Sequence, residues 1–240
     1  MLSTPHDLEL GSSLLAALEP EDFRKLAAYL TLVELRHGEV LFDWGEEFRH
    51  VYFPHDGIVS LVVTMREGHT LEAGIVGREG VLGFAAALGE RRSLTRDVVQ
   101  APGRASRLEV VQLEAALAAA PGLRRLCLCF VQALFGQIVQ AVACNALHPA
   151  EARLCRWLLM FQDRRGGGTT LNLTQDYLAE MLGVQRTTVS LIAGKVQQAG
   201  LIRYRRGVIE ILDRAGLERA SCECYAAVRD HYGRLLPSVG

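Results

Sequence analysis

"LTQDYLAEMLGVQRTTVSLIAGKVQQAGLIRYRRGVIEIL", residues 173–212, carries two patterns at once. With Gln175 as the first position, Leu178, Leu182, Val184, Val189 and Ile192 recur where two short helices pack on each other. Ala179 falls at their closest approach, and Gly183 where the turn demands a positive φ. Thr174 is a natural N-cap for the first helix, and Gln185 precedes the second. The face turned away from the packing residues presents Arg186, Thr187 and Ser190, with Thr188 and Lys195 at its flanks. These are groups able to bond base edges and phosphates. "GLIRYRRGVIEI" then reads as a two-stranded wing that turns Arg203, Arg205 and Arg206 toward a phosphate backbone. Between Glu180 and Glu210 there are five basic residues and no acidic one, so packing template and charge stripe coincide. The expectation is a winged helix-turn-helix that meets duplex DNA.

Working toward the N-terminus, "PAEARLCRWLLMFQDR" (149–164) reads as a helix with Glu151 near its start and basic Arg164 and Arg165 at its end, as the helix dipole favours. "RRGGGTT" is a loop. Before Pro149 lies "LCLCFVQALFGQIVQAVACNALHPA", residues 126–150, without a single Asp, Glu, Lys or Arg. It is long enough to cross a bilayer. Gln132, Gln137, Gln140, Asn145 and His148 argue against that, because amides and imidazoles in hydrocarbon need partners, so no membrane association is expected. A helix apolar on nearly every side is instead buried on several sides, here against the preceding module and a second copy of itself. Leu123, Leu126, Phe130 and Ala133 form one row, and Cys127, Leu134, Ile138 and Ala141 an offset row. A charge at Phe130 or Leu134 is expected to break the resulting parallel dimer. His148-Pro149 ends the helix and places a hinge at 145–149.

From Val33 to Leu108 the chain alternates apolar and polar residues in short runs such as "EVLFDW" and "HVYFPHDGIVSLVVT", with a glycine turn every ten or so residues. That is the pattern of an antiparallel β-roll, here preceded by the helical "SLLAALEPEDFRKLAAYL". The fold class is therefore α+β: a β-roll sensor module over 1–120, a dimerisation helix and hinge over 121–148, and the winged module over 149–240. The near-neutral total, 26 Lys/Arg against 27 Asp/Glu, hides a polarity. Residues 1–149 hold 13 basic and 18 acidic side chains, residues 150–240 hold 13 and 9. The basic half is the one that reads as DNA-binding. "MLSTPHDLELGSS" lacks the makings of a secretory signal, so the expected compartment is the cytoplasm.

A β-roll, one long apolar helix, a hinge and a winged helix-turn-helix, in that order, resemble the Crp/Fnr family of bacterial transcription regulators over roughly residues 12 to 218. The resemblance is most specific at "LTQDYLAEMLGVQRTTVS" and "AGLIRY", and looser at "HGEVLFDWGE". It implies a homodimer formed through the long helix, a sensing β-roll, recognition helices in successive major grooves of an inverted repeat, and contact with RNA polymerase. The best known members begin the recognition helix with Arg-Glu and carry another Arg one turn on. Here Arg186-Thr187 and Leu191 stand at those positions, so Arg186 keeps a guanine-reading group while Thr187 has no carboxylate for cytosine.

The same resemblance bears on the effector. Cyclic-nucleotide-binding members show Gly-Glu-Leu, about ten residues, then Arg-Ser, the Glu taking ribose and the Arg, Ser and backbone amides the phosphate. This chain has Gly80-Val81-Leu82 and, one residue late, Arg92-Ser93. Valine cannot bond ribose, and Ile138 and Val139 stand where such members offer hydroxyls to the base. Gly80, Val81, Leu82, Arg92, Ser93, Ile138 and Val139 are therefore candidate effector-pocket residues, with cyclic AMP not expected and no other cofactor predicted. The alternatives are a ligand-independent regulator or a thiol-, metal- or haem-responsive one. No cysteine precedes Cys127, which argues against the family's N-terminal iron–sulfur cluster. Cys144 and His148 lie four apart, and Cys222, Cys224 and His231 gather near the end, but two or three ligands do not make a site. No metal is assigned, and the thiols are read as buried structural residues. A haem ligand among the seven histidines stays open. A rival class, an enzyme using the helix pair for protein contacts, finds no catalytic arrangement: no nucleophile elbow, P-loop or H-E-x-x-H.

Overall fold

The computed structural model describes residues 11–89 and 91–236. Helices α1 (Ser13–Ala16) and α2 (Pro20–Ala27) lead into seven strands: β1 (Thr31–Leu35), β2 (Val40–Phe42), β3 (His50–Pro54), β4 (Ile58–Thr64), β5 (Thr70–Val76), β6 (Arg96–Ala101) and β7 (Gly103–Glu109). They form two antiparallel sheets, ordered β1-β7-β3 and β2-β6-β4-β5. The inward positions, among them Val51, Phe53, Ile58, Val99 and Ala105, are sealed from solvent, as the alternation requires. Helix α3 (Val110–Ala119) follows β7 directly and is fixed by a capping box between Glu109 and Gln112.

Helix α4 (Pro121–Leu147) starts with proline at its first position, and Asp22 accepts the Gly122 N–H at 2.8 Å. By length and composition it could cross a membrane. Three of its polar side chains, Gln137, Gln140 and Asn145, find partners within the protein, however. Buried Gln137 donates to the Ile75 carbonyl at 3.3 Å and accepts from Arg164, and Gln140 donates to the Cys224 sulfur at 3.0 Å. His148 turns extended (φ −103°, ψ 145°), and Pro149 caps α5 (Ala150–Arg164), whose Trp157, Leu158, Leu159 and Phe161 are core residues.

The faces of α4 are divided differently from the expectation. Leu123, Leu126, Phe130 and Ala133 are buried within the chain, and so are Cys127 and Ala141 of the offset row. Phe130 is 1% exposed, so a charge there would damage the core of one chain rather than an association surface. Leu134 is half-buried beside Gly74 of β5. The exposed large apolar side chains of α4 are Leu128, Phe135, Val139, Val142 and, at its end, Leu147.

The C-terminal module contains β8 (Thr170–Asn172), α6 (Gln175–Leu182), α7 (Arg186–Gln198), β9 (Ile202–Arg205), β10 (Val208–Ile211), α8 (Arg214–Ala220) and α9 (Cys224–Leu235). The wing has three strands, ordered β8-β10-β9, where the sequence suggested two. Strand β8 is three residues long and owes its form to pairing with β10, a partner that local pattern does not reveal. Helix α9 returns along α4: a Cβ added at Gly136 would lie 2.6 Å from the His231 ring, so glycine there permits the approach.

Two buried polar clusters hold the winged module against the β-roll. In the first, Arg164 of α5 lies 2.9 Å from Glu79 of the loop after β5, bonds Gln137 of α4, and stacks over Tyr232 of α9 at 4.9 Å. In the second, the Glu72 carboxylate of β5 accepts from Ser60 (2.6 Å), Tyr177 (2.7 Å) and Trp157 Nε1 (2.7 Å), linking β4 and β5 to α5 and α6. Burial pushes the Glu72 carboxyl above its ordinary value of 4.5, against the lowering effect of these three donors.

The folded protein therefore holds this proton more tightly than the unfolded chain. Glu72 contributes its stability fully below about pH 4.5 and loses it as pH rises through the raised folded value. Denaturant titrations should show wild type losing stability relative to Glu72→Gln between pH 4.5 and neutrality, and a difference that holds constant or grows would contradict the assignment. Glu72→Leu strands Trp157 Nε1 and one of the Ser60 and Tyr177 hydroxyls, which lie 2.8 Å apart and can bond each other, and should cost about 1–3 kcal/mol for each stranded donor.

Candidate nucleic-acid interface

The helix pair is built locally. The Thr174 hydroxyl accepts the Tyr177 N–H at 3.2 Å to start α6, and Gly183 ends it in the left-handed region at φ 62°. Leu178, Leu182, Val189 and Ile192 bury between α6 and α7, while Ala179 and Val184 pack at the margin. Gln185 takes the N-cap position of α7 without a side-chain capping bond. This packing leaves Gln185, Arg186, Thr187, Ser190 and Leu191 on the outer face, with Thr188 half-buried at its edge.

That outer face is already bonded to itself. Arg186 Nε donates to Gln175 Oε1 at 3.1 Å, its Nη1 lies 3.3 Å from Asp176, and Gln175 donates to the Ser190 hydroxyl at 3.1 Å. Lys195 is paired with Glu151 of α5. In the wing, Arg203 pairs across the strands with Glu210 at 2.6 Å, and Arg205 and Arg206 stand exposed. The hairpin turn is Arg206-Gly207, both at positive φ (50° and 78°), the geometry that matches the strand twist in two-residue hairpins. The ion pairs lie at the surface, where such pairs contribute little and exchange readily. Gln175 and Asp176 were not singled out from the sequence as partners of Arg186. Their signal was their place in the first turn of α6, one helix-pair crossing away.

The effector-pocket candidates do not converge. Val81 and Leu82 are core residues, each 3% exposed, and Leu82 bonds Tyr52 through both backbone groups. Gly80 is there for packing: a Cβ would lie 2.4 Å from the Phe130 ring. Ser93 is buried and donates to the Thr95 carbonyl at 2.7 Å, while exposed Arg92 donates to the Gly45 carbonyl at 3.0 Å. The segment 91–93 is bonded along 45–48 as a turn brace. Ile138 packs toward Gly74, and Val139 is 52% exposed on the outer side of α4. A cavity of about 860 Å³ lies elsewhere, at the junction of β-roll, α5 and α9, lined by Glu79, Arg164, Arg214, Tyr225 and Tyr232. A second, of about 910 Å³, separates the β-roll turns at His37 and His69 from α6.

Three of the thiols read as structural residues are gathered in one place. Cys144, Cys222 and Cys224 meet beside His148, and His231 stays apart against the Gln132 carbonyl.

Comparison with known proteins places these features. The family model for the Crp-like helix-turn-helix domain matches residues 152–220, and that for the cyclic nucleotide-binding domain matches residues 32–119. No curated protein sequence matches the chain. Among solved structures, the c-di-GMP-responsive global regulator CLP of Xanthomonas campestris is 16% identical, with TM-score 0.66, covering 81% of this chain and 100% of its own. FixK2 of Bradyrhizobium japonicum is 17% identical, with TM-score 0.64, covering 80% and 98%. TTHA1359, a Crp/Fnr-family regulator of Thermus thermophilus, is 22% identical, with TM-score 0.56, covering 80% and 98%. At these identities the likeness is one of fold. The two family models take in well over half the chain, one on each side of α4, and the chain belongs to the Crp/Fnr family of DNA-binding transcription regulators, proteins that are not enzymes.

Proposed function

We propose that the chain works in the cytoplasm as a homodimer on an inverted repeat in duplex DNA, under the control of an effector other than cyclic AMP. The observation that carries this reading is an apolar stripe on α4 whose Leu128, Phe135 and Val142 are exposed and whose Val131 and Ile138 are half-buried. Leu128, Val131, Phe135, Ile138 and Val142 recur at alternating three- and four-residue steps, the spacing of a two-helix seam, and their outward members are exposed. A second copy of α4 is the partner that such a self-complementary row fits. Two α7 helices related by the resulting two-fold axis would enter successive major grooves. Contact with RNA polymerase is inferred from family membership alone.

The case against cyclic AMP rests on the buried Val81 in the ribose position and on Ser93, whose hydroxyl is spent on Thr95. The junction cavity of about 860 Å³ has the volume of a small-molecule pocket, and its Glu79 and Arg164 touch both modules. Calorimetry with cyclic AMP should give no binding at micromolar concentration, whereas micromolar affinity would refute this part of the reading.

For assembly, Phe135→Glu or Val142→Glu should yield a monomer by light scattering with little change in the thermal melt of the single chain. Phe130→Glu should instead lower the melting temperature, because its ring is inside one chain. A wild type that is monomeric at micromolar concentration would refute the dimer.

For DNA, selection from a random duplex pool should return an inverted repeat with half-site centres ~10–11 base pairs apart. Arg186→Ala should cost on the order of 1–3 kcal/mol and relax preference at one base pair per half-site. Arg205→Ala should reduce the salt slope by about 1 and weaken all sequences alike. Arg203→Ala should do less, since Arg203 must first leave Glu210. Unchanged sequence preference in Arg186→Ala would show that another element reads the bases.

A further inference from the structure

Where α4 ends, four side chains from two stretches of chain, 144–148 and 222–224, converge. Cys144 belongs to the last turn of α4 and His148 is its C-cap. Cys222 lies in the link after α8, and Cys224 opens α9. Their ligand atoms all lie within 4.8 Å of one another; Cys144 Sγ is 3.5 Å from Cys222 Sγ, and Cys224 Sγ is 3.5 Å from His148 Nδ1. We propose that Cys144, His148, Cys222 and Cys224 form a closed Cys3His site for a thiophilic divalent cation, zinc being the ion whose chemistry fits best.

Geometry is the first support. Tetrahedral zinc, with sulfur at ~2.3 Å and nitrogen at ~2.0–2.1 Å, sets its ligand atoms about 3.5–3.8 Å apart, the range these pairs already occupy. The surroundings are the second. His148 Nε2 lies 3.2 Å from a Glu223 carboxylate oxygen, which holds Nε2 as the donor and leaves the Nδ1 lone pair facing the sulfurs. Gln140 donates to the Cys224 sulfur at 3.0 Å, a bond that favours the thiolate. Three thiolates and one divalent cation leave a net negative charge. Arg153 and Arg156 are near enough for their charge to act on these sulfurs, and each has a buried Nε with no hydrogen-bond partner. Packing does not explain the cluster. Among the described residues the three thiols form a satellite core of their own, apart from the main core, with half-buried Ala152 packed against it.

With four protein ligands no position is open for substrate, so the role is structural. The ion would clamp α9 to the carboxyl end of α4, beside the His148-Pro149 break from which the winged module departs. The inference goes beyond the DNA-binding reading and does not depend on it.

The test uses full-length protein, reduced and stripped of metal under anaerobic conditions, then titrated with cobalt(II). One equivalent per chain should bind, with thiolate-to-metal charge-transfer absorption and the intense visible bands of tetrahedral cobalt, and zinc should displace it. Cys222→Ser should abolish this spectrum, and Cys155→Ser, a buried thiol outside the cluster, should leave it intact. Glu223→Gln should weaken cobalt binding about 10–100-fold, as loss of a partner to a metal-bound histidine does. Wild-type spectra need no variant to fold, so the reading stays testable if Cys222→Ser is unstable. Folded, reduced wild type that takes up no cobalt, octahedral spectra, or a Cys144–Cys222 disulfide that upon reduction still yields no metal binding would each overturn the proposal.

Discussion

The Arg164 guanidinium is the point at which four parts of the molecule meet. It is 8% exposed on its side chain, faces a Glu79 carboxylate that is 2% exposed, and touches Gln137 and Tyr232. Taking both charges out of water costs several kcal/mol per ion, and their attraction in the interior offsets this only when the geometry holds. The pair is therefore weak evidence for added stability and strong evidence for a fixed arrangement. If the Glu79 loop or α5 shifts, a buried charge is left uncompensated, and if α4 or α9 shifts, the guanidinium loses its Gln137 bond or its Tyr232 ring. The β-roll loop, α4, α5 and α9 are in this way constrained to one another, and the Glu72 cluster repeats the constraint one helix away.

Much of this molecule was legible in the sequence because its units are local. The helix-turn-helix is a template of nearby positions, and Thr174 and Gly183 occupy the cap and turn that the template demands. The β-roll strands announce themselves by alternation and glycine turns. What stayed hidden depends on distant pairing. Strand β8 exists because β10 lies beside it, and α9, which no local pattern announced, lies on α4 where His231 meets Gly136. In α4 itself, apolar residues on nearly every side say that several faces are covered, without saying by what. Periodicity found the row of Phe130 and could not assign it to the β-roll rather than to a second chain.

The sites divide along the same line. Arg186, Thr187 and Ser190 lie on the outer face because the opposite face is fixed by packing. The nucleotide cassette is a different case: its residues match a motif, but Gly80 answers to the Phe130 ring and Ser93 to Thr95. A motif records residue types at a spacing. Whether their donors point into a cavity or into the fold is decided by neighbours from other strands. The Cys144 and Cys222 sulfurs, separated by most of the winged module, make the same point in the other direction.

The recognition surface keeps most of its cations occupied: Arg186 by Asp176, Lys195 by Glu151, Arg203 by Glu210. A protein arriving at random duplex must trade an internal partner for each phosphate it engages, so generic attraction is muted. On a surface wired in this way, a cation that meets a phosphate first gives up its own carboxylate, so each such contact returns slightly less than a free arginine or lysine would, whatever the base sequence beneath it.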